Sequence, residues 1–241
     1  MKKYNTKAVV LKSIKYKDTD KIFTLFTKDY GKVSAVARGV RKINSRRGGN
    51  LDTLNTVSIK IHEDSKGYKN IEEVILIESF KTIKCDLTKS AKAYYIVELV
   101  HKAVGEEDKV PGVFELLVKC LRALDKNGYS GDLFVSYFEM NLMGILGYSL
   151  TVDKCRKCGK LLSDSWSKYF FSIDNGSIEC EKCTNFGITV SKGAALSFDP
   201  ILKGNIDKNM HKYVSEIDKL LKVYIGRKLE SRFKSLEIEA E

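Results

Sequence analysis

The sequence predicts an α+β protein of several domains: a small N-terminal β-barrel, an α-helical domain, and a four-cysteine insert within the helical part. Three patterns support this prediction. Short runs rich in β-branched and aromatic residues fill the first 80 positions, apolar residues then recur at three- and four-residue steps, and two Cys-x2-Cys pairs interrupt the helical pattern. The predicted boundaries are 1–82 for the barrel, 83–150 together with 186–241 for the helical domain, and 151–185 for the insert.

The barrel prediction comes from five candidate strands separated by turn residues. Within one of them, Val33, Ala35 and Ala37 alternate with more polar residues, which indicates one buried and one open face. Five strands in about 80 residues favour a small closed barrel. The candidate strands are Ala8–Ile14, Ile22–Thr27, Lys32–Arg38, Val57–His62 and Val74–Phe80.

The helical domain is predicted from apolar stripes at helical spacing, which we expect to form a core. One further amphipathic helix near the C-terminus completes it. The stripes are Tyr95, Leu99 and Ala103; Phe114, Leu117, Leu121 and Leu124; Val135, Phe138, Leu142 and Ile145; and, in the last helix, Val214, Ile217, Leu221, Tyr224 and Ile225.

The insert carries the most specific motif in the chain. Cys155 and Cys158 form one Cys-x2-Cys pair, Cys180 and Cys183 form another, and the interval between the pairs has the pattern of a β-hairpin. Two such pairs surround one ion with four thiolates and leave no position for substrate, so we predict a zinc-ribbon-like module with one structural Zn²⁺. An iron–sulfur cluster and redox-active thiols remain alternatives.

Positive charge is concentrated near the N-terminus. Of the net charge of +11, residues 1–80 contribute +8, from 17 basic and 9 acidic residues. This charge favours a nucleic acid or an anionic membrane as partner, although a solvated basic face is the simpler alternative. Tyr16, Tyr30 and Tyr68 are candidates for stacking on bases, or ordinary barrel aromatics. The densest run has no acidic residue and contains Arg38, Arg41, Lys42, Arg46 and Arg47.

No arrangement typical of a catalytic centre is visible. The three histidines lie in separate segments, and no phosphate-binding glycine loop is present. Acidic residues such as Asp18, Asp20, Glu72 and Glu73 leave a magnesium-dependent nuclease open as an alternative function, and an RNA-binding zinc-ribbon adaptor is another. Because no apolar run approaches 18 residues and no secretory signal is visible, we expect a cytoplasmic protein that is not an enzyme and has no membrane partner.

Several tracts together resemble the bacterial DNA-repair and recombination mediator family RecO. They follow the order and approximate spacing of the family and extend over essentially the whole chain. The tracts are Lys7–Ser13, Thr24–Gly39, Glu78–Phe80, Leu146–Tyr148 and Gly226–Leu229.

The resemblance implies an OB-fold for the barrel and a helical domain with a zinc module. It also implies binding of single- and double-stranded DNA, annealing of complementary strands, and action with RecR in loading RecA onto DNA coated with single-stranded DNA-binding protein (SSB), whose acidic C-terminal tail is a further partner. The basic run matches the DNA-binding region of the family at the five positions named above. Some family members lack the cysteines, and Glu230 replaces a common basic residue, so no DNA contact is expected there.

Overall fold

The computed structural model describes residues 2–126 and 131–229, which fall into two compact units, residues 1–126 and residues 127–241. The N-terminal unit contains strands β1 (Lys2–Tyr16), β2 (Asp20–Thr27) and β3 (Gly31–Ala37), helix α1 (Arg46–Asn50), strands β4 (Thr56–Glu63) and β5 (Lys69–Glu78), and helices α2 (Lys81–Lys84), α3 (Leu87–Ala103) and α4 (Val113–Asp125). The C-terminal unit contains α5 (Gly131–Ile145), β6 (Tyr169–Ser172), β7 (Ser177–Cys180), β8 (Ile188–Val190), α6 (Lys192–Leu202), a 3-10 helix (Lys208–Tyr213) and α7 (Val214–Leu229).

The five N-terminal strands close into a barrel in the order β1-β2-β3-β5-β4. Neighbouring strands are antiparallel except β3 and β5, which are parallel and pair at Val36 and Asn70. Val33, Ala35 and Ala37 are buried inside the barrel, as the alternation predicts, while Ser34 is exposed. This architecture confirms the predicted OB-fold and the α+β class.

Two strands start well before their predicted first residues, while the other three differ by one or two residues. Strand β1 begins at Lys2 instead of Ala8, because its first half pairs with β4 from Lys2–Glu63 to Val9–Thr56. The last strand spans Lys69–Glu78 instead of Val74–Phe80, since pairing with β4 extends it toward the charged residues that precede the apolar run. Phe80 instead precedes α2 with a left-handed φ of 47°.

A buried lysine links the barrel to α3. The Lys32 Nζ donates hydrogen bonds to the carbonyl oxygens of His101 (2.7 Å) and Val104 at the C-terminal end of α3. A cation at a helix C-terminus satisfies carbonyls that have no partner within the helix. Burial, and then the nearby charges of Lys12 and Lys32, lower the pKa of the neighbouring His101 imidazole to about 4.

Most residues of the predicted helical stripes are buried, whereas Ala103 and Val214 are half-buried. Phe114, Leu117, Leu121 and Leu124 of α4 are all buried, and so is Cys120. The prediction for Ile145 is wrong: it lies at the end of α5 and is 37% exposed, because the chain turns away after that residue.

The C-terminal unit packs its helices around the predicted β6–β7 hairpin. The Phe171 ring of β6 lies 5.5 Å from that of Phe198 in α6 and 6.4 Å from that of Tyr224 in α7. At the hairpin turn, the Lys228 Nζ donates to the Asp174 carbonyl (2.8 Å), and Arg227 forms an ion pair with the Asp174 carboxylate (2.7 Å). The Gly226–Leu229 tract therefore holds the hairpin in place.

One predicted feature, the acidic position Glu230, lies outside the described residues. Across the part of the chain that the structure describes, none of the helices combines the length and the apolar character needed to cross a bilayer.

Candidate nucleic-acid interface and metal centre

The four predicted cysteines converge on one point. The sulfur atoms of Cys155, Cys158, Cys180 and Cys183 all lie within 4.8 Å of one another. Tight turns hold each pair: the Gly159 N–H donates to the Cys155 carbonyl (2.8 Å), and the Cys183 N–H donates to the Cys180 carbonyl (3.0 Å). Because Cys180 ends β7, the hairpin brings the second pair to the first.

The cluster fits a single tetrahedral ion. With Zn–S bonds of about 2.3 Å, tetrahedral sulfur atoms stand ~3.8 Å apart, and the Cys158 and Cys180 sulfurs are 3.8 Å apart. Burial opposes ionisation of Cys155, but backbone N–H groups of Cys180, Cys158 and Lys157 outweigh it and lower the pKa of this thiol to about 7. The four cysteines can therefore hold a metal ion such as Zn²⁺.

The charged and aromatic residues beside the cluster are mostly engaged within the module. The Lys157 Nζ pairs with the Glu179 carboxylate at 3.0 Å and donates to the Cys183 carbonyl at 3.3 Å. The Lys160 Nζ lies 6.0 Å from the centroid of the buried Trp166 ring, which stacks on Tyr169 at 5.7 Å. Trp166 is the single tryptophan of the chain, so its fluorescence reports on this module.

The predicted DNA-binding residues lie on the segment between β3 and β4. Arg38 and Lys42 are exposed. Arg41 is also exposed, and its Nη1 donates to the Asp18 carbonyl at 2.8 Å in the β1–β2 turn. The backbone of Arg46 starts α1, whereas its side chain lies outside the described part of the structure.

Arg47 is tied to the barrel. Its guanidinium donates to the carbonyl oxygens of Ile71 in β5 (3.1 Å) and of Arg38 (2.8 Å), so it joins the two ends of the basic segment to β5. Arg41 and Arg47 therefore brace the segment as well as carrying charge. Sequence reasoning could not find these bonds, because they depend on how distant strands are aligned.

The basic segment also meets the β1–β2 turn through its backbone. The Gly39 N–H donates to the Asp20 carboxylate at 2.7 Å, and the Arg41 N–H donates to the Thr19 carbonyl at 2.9 Å. The hydrogen bond from the Gly39 N–H is the main cause that lowers the pKa of Asp20. The Thr19 hydroxyl and then the charges of Lys17 and Arg38 lower this pKa further.

Two loops thus meet at one end of the barrel, the β1–β2 turn and the basic segment. The β4–β5 turn lies at the other end, because β4 runs antiparallel to β1 and Glu63 pairs with Lys2. We call residues 15–21 and 38–47 together the basic rim. The rim adds lysines that the sequence analysis did not assign to DNA binding: Lys15, Lys17 and Lys21.

The three candidate stacking tyrosines differ in their surroundings. Tyr16 on the rim and Tyr68 in the β4–β5 turn are both exposed. The Tyr30 ring instead lies 4.2 Å from the Tyr4 ring, with the ammonium groups of Lys2 and Lys109 beside it. Tyr30 therefore belongs to a packed cluster of the N-terminal unit.

Three of the four acidic residues of the nuclease alternative have other partners. Asp20 accepts the Gly39 N–H, Glu72 pairs with Lys3 at 2.9 Å, and Glu73 pairs with Lys60 at 3.1 Å. Among the residues that the structure describes, the four cysteines are the one group of three or more side chains arranged to hold a metal ion.

Comparison with known proteins identifies the family of this chain. The family model described as "Recombination protein O N terminal" matches residues 1–80, and "Recombination protein O C terminal" matches residues 85–237. A DNA repair protein RecO of Thermoanaerobacter sp. is 34% identical, with 98% of this chain and 96% of the relative covered. The RecO of Dehalococcoides mccartyi is 30% identical, covering 97% and 93%, and that of Geobacter sulfurreducens is 34% identical, covering 76% and 74%. The chain belongs to the RecO family of recombination proteins.

Proposed function

We propose that this chain is a DNA repair and recombination mediator that holds single- and double-stranded DNA on the basic rim. The observation that carries the proposal is the basic segment 38–47, braced between the β1–β2 turn and β5 at one end of an OB-fold barrel. OB-folds commonly bind oligonucleotides on the face of their second and third strands and on adjoining loops, among them the β1–β2 loop that the basic segment contacts. The exposed Arg38 and Lys42 are the leading phosphate contacts, and Arg41, Arg46 and Arg47 complete the set.

This interface suits binding without regard to base sequence. Lysine and arginine contacts to phosphates carry no sequence information. A protein that anneals arbitrary complementary strands needs that indifference, because base pairing itself must select the partner. The positive rim lowers the repulsion between two strands and raises their local concentration.

Family membership supports the proposed partners. We infer that the chain acts with RecR to assist RecA loading on SSB-coated DNA, and that the acidic SSB tail is a further partner. The names of the relatives specify DNA repair, and the concerted steps are our inference. A cytoplasmic location, where these partners act, is part of the same proposal.

A structural zinc ion completes the proposal. With four sulfur ligands, Zn²⁺ has no open position for water or substrate, so its contribution is to fold the module and not to supply chemistry. We assign DNA binding to residues 1–82, support to the helical segments 83–150 and 186–241, and the zinc module to residues 151–185. Annealing on this platform requires no covalent step, and we infer that the protein is not an enzyme.

A strand-annealing assay tests the proposal. Labelled complementary oligonucleotides incubated with the protein and magnesium should give duplex of full length. The double variant Arg38→Gln/Lys42→Gln should lose most of this activity. The control Lys81→Gln/Lys126→Gln removes the same charge from exposed positions outside the rim and should retain it. Shortened strands would favour the nuclease alternative, and equally strong binding of RNA would favour the adaptor.

A further inference from the structure

The four cysteines of the cluster are unequally open to solvent. Cys155 and Cys180 are 0% and 2% exposed. Their partners are more open, since Cys183 is half-buried and Cys158 is exposed. Each Cys-x2-Cys pair therefore has one member in the interior and one nearer the surface. A small oxidant in solvent can reach Cys158 before it reaches the buried sulfurs.

The surroundings of Cys158 favour its oxidation. The residue before it, Lys157, places its Nζ 3.0 Å from the Glu179 carboxylate and 3.3 Å from the Cys183 carbonyl. Further positive side chains flank the two pairs: Lys154, Arg156, Lys160 and Lys182. Metal binding holds a thiol in its thiolate form, and exposed thiolates beside positive charge are the cysteines that oxidants attack. The exposed Cys85 lies outside the cluster, so the proposed ion does not activate it.

Partner sulfurs for a disulfide lie close to Cys158. Its sulfur is 3.8 Å from that of Cys180, and all four sulfurs lie within 4.8 Å of one another. Because the bond between two disulfide sulfurs is about 2 Å long, the sulfurs need to approach each other by only about 2–3 Å. The cluster therefore supplies both sulfurs of a disulfide within reach of each other.

We propose that Cys158 is a site of reversible oxidation by hydrogen peroxide, and that this oxidation releases the proposed zinc ion. The inference rests on the structural ion of the proposed function. The Cys158 thiolate attacks one oxygen of the peroxide, the O–O bond breaks, and a sulfenic acid forms while the leaving hydroxide takes up a proton to become water.

A second thiolate of the cluster completes the reaction. It attacks the sulfenic sulfur of Cys158, and the S–O bond breaks with loss of another hydroxide, which is protonated in turn. Overall, two thiolates lose two electrons, one peroxide is reduced to two water molecules, and one disulfide forms. Two thiolates remain, which are too few for a closed four-coordinate site.

The change at the cluster extends to the hairpin. Cys180 pairs with Tyr169 across β6 and β7, and the Tyr169 ring stacks on that of Trp166 at 5.7 Å. A movement of the cluster sulfurs should therefore alter the surroundings of the single tryptophan. Trp166 fluorescence follows the reaction without reference to DNA binding.

The test treats the zinc-loaded protein with hydrogen peroxide and follows zinc release with a chromogenic dye. About one equivalent of peroxide should release one zinc ion, because one disulfide consumes one peroxide. The Trp166 emission should change over the same time course. Dimedone, which labels sulfenic acids, should mark Cys158 before Cys85 in peptide mass spectrometry. A thiol reductant and added zinc should restore both the bound metal and the emission.

Two variants separate oxidation of Cys158 from oxidation elsewhere. Cys158→His keeps a ligand that zinc accepts and removes the thiol, so this variant should release zinc at least about tenfold more slowly. Cys85→Ser removes the exposed thiol outside the cluster and should release zinc at the wild-type rate. If Cys158→His failed to bind zinc, the position of the first dimedone label in the wild type would decide.

Two results would overturn the inference while leaving the proposed function intact: zinc that stays bound after Cys85 has been oxidised, or a first label at a cysteine other than Cys158. If the protein as purified held no zinc, the proposed ion would fail together with the inference.

Discussion

Removal of the proposed zinc ion should unfold the cysteine module. The perturbation is a zinc chelator, or the double variant Cys158→Ser/Cys183→Ser, which removes one ligand from each pair. Without the ion, the sulfur cluster loses the bonds that join the two turns. Structural zinc contributes about 10–16 kcal/mol of apparent binding free energy at neutral pH.

The aromatic packing beside the cysteine cluster sets the size of the expected loss. Trp166, Tyr169, Phe170 and Phe171 are buried in or beside the hairpin. At about 1.5–3 kcal/mol for each large side chain, their burial contributes ~6–12 kcal/mol, which is an upper estimate. This gain is of the order of the stability of a whole domain. Because Phe171 packs on α6 and α7, loss of the hairpin should also lower the melting temperature of the C-terminal unit.

Trp166 fluorescence provides the assay. Chelation should shift its emission to longer wavelength as the indole becomes exposed, and mass spectrometry should detect the loss of one zinc ion per chain. Cys85→Ser, which alters an exposed cysteine outside the cluster, should retain the metal and the native emission. A metal-free protein with unshifted emission and unchanged melting temperature would refute the reasoning.

Three further predictions concern stability. His101 has a pKa of about 4 in the folded protein against an ordinary 6.5, so the stability that its neutral form contributes is complete above pH 6.5 and is lost as the pH falls toward 4. After discounting for solvent screening, this loss of unfolding free energy is about 2 kcal/mol. Urea unfolding at pH 7 and pH 5 should therefore show a smaller decrease in stability for His101→Gln than for the wild type. Arg47→Ala should lower stability by about 1.5–3 kcal/mol because the partly buried hydrogen bond to the Ile71 carbonyl and the bond to the Arg38 carbonyl lose their charged donor, and Arg47→Lys should not restore it in thermal unfolding, since one ammonium cannot replace the guanidinium fork. Gly176→Ala should destabilise the C-terminal unit by about 1–3 kcal/mol, because Gly176 has a φ of +59° and an added Cβ would lie 2.6 Å from the Tyr224 ring; a calorimetric midpoint equal to that of the wild type would contradict this.

The fold was largely predictable from local patterns. Alternation at Val33, Ala35 and Ala37 identified a barrel strand, and helical spacing identified the core face of α4, because each reflects burial within a single element. The ends of strands depend on distant partners. The first half of β1 reads as a polar N-terminus, and its pairing with β4 makes it a strand. The predicted burial of Ile145 was wrong because helical periodicity alone does not show where the packing surface of a helix ends.

The candidate sites divide in the same way. The cysteine spacing predicted the cluster, since two Cys-x2-Cys pairs at this separation are typical of a four-cysteine metal site. Positive charge identified the basic segment, but its bracing did not follow from sequence: Arg41 reaches the β1–β2 turn and Arg47 reaches β5 only after the barrel has closed. Tyr16 is exposed whereas Tyr30 packs against Tyr4, and no local sequence pattern distinguished these two tyrosines.

The salt dependence of single-stranded DNA binding tests the central claim most directly. If Arg38 and Lys42 each neutralise one phosphate, Arg38→Gln/Lys42→Gln should reduce the slope of log K against log salt by ~1.4 and weaken binding by about 25-fold at 0.1 M salt. The Lys81→Gln/Lys126→Gln control should keep the wild-type slope. An unchanged slope in the rim variant, or wild-type affinity that does not depend on salt, would contradict the assignment of DNA binding to the basic rim.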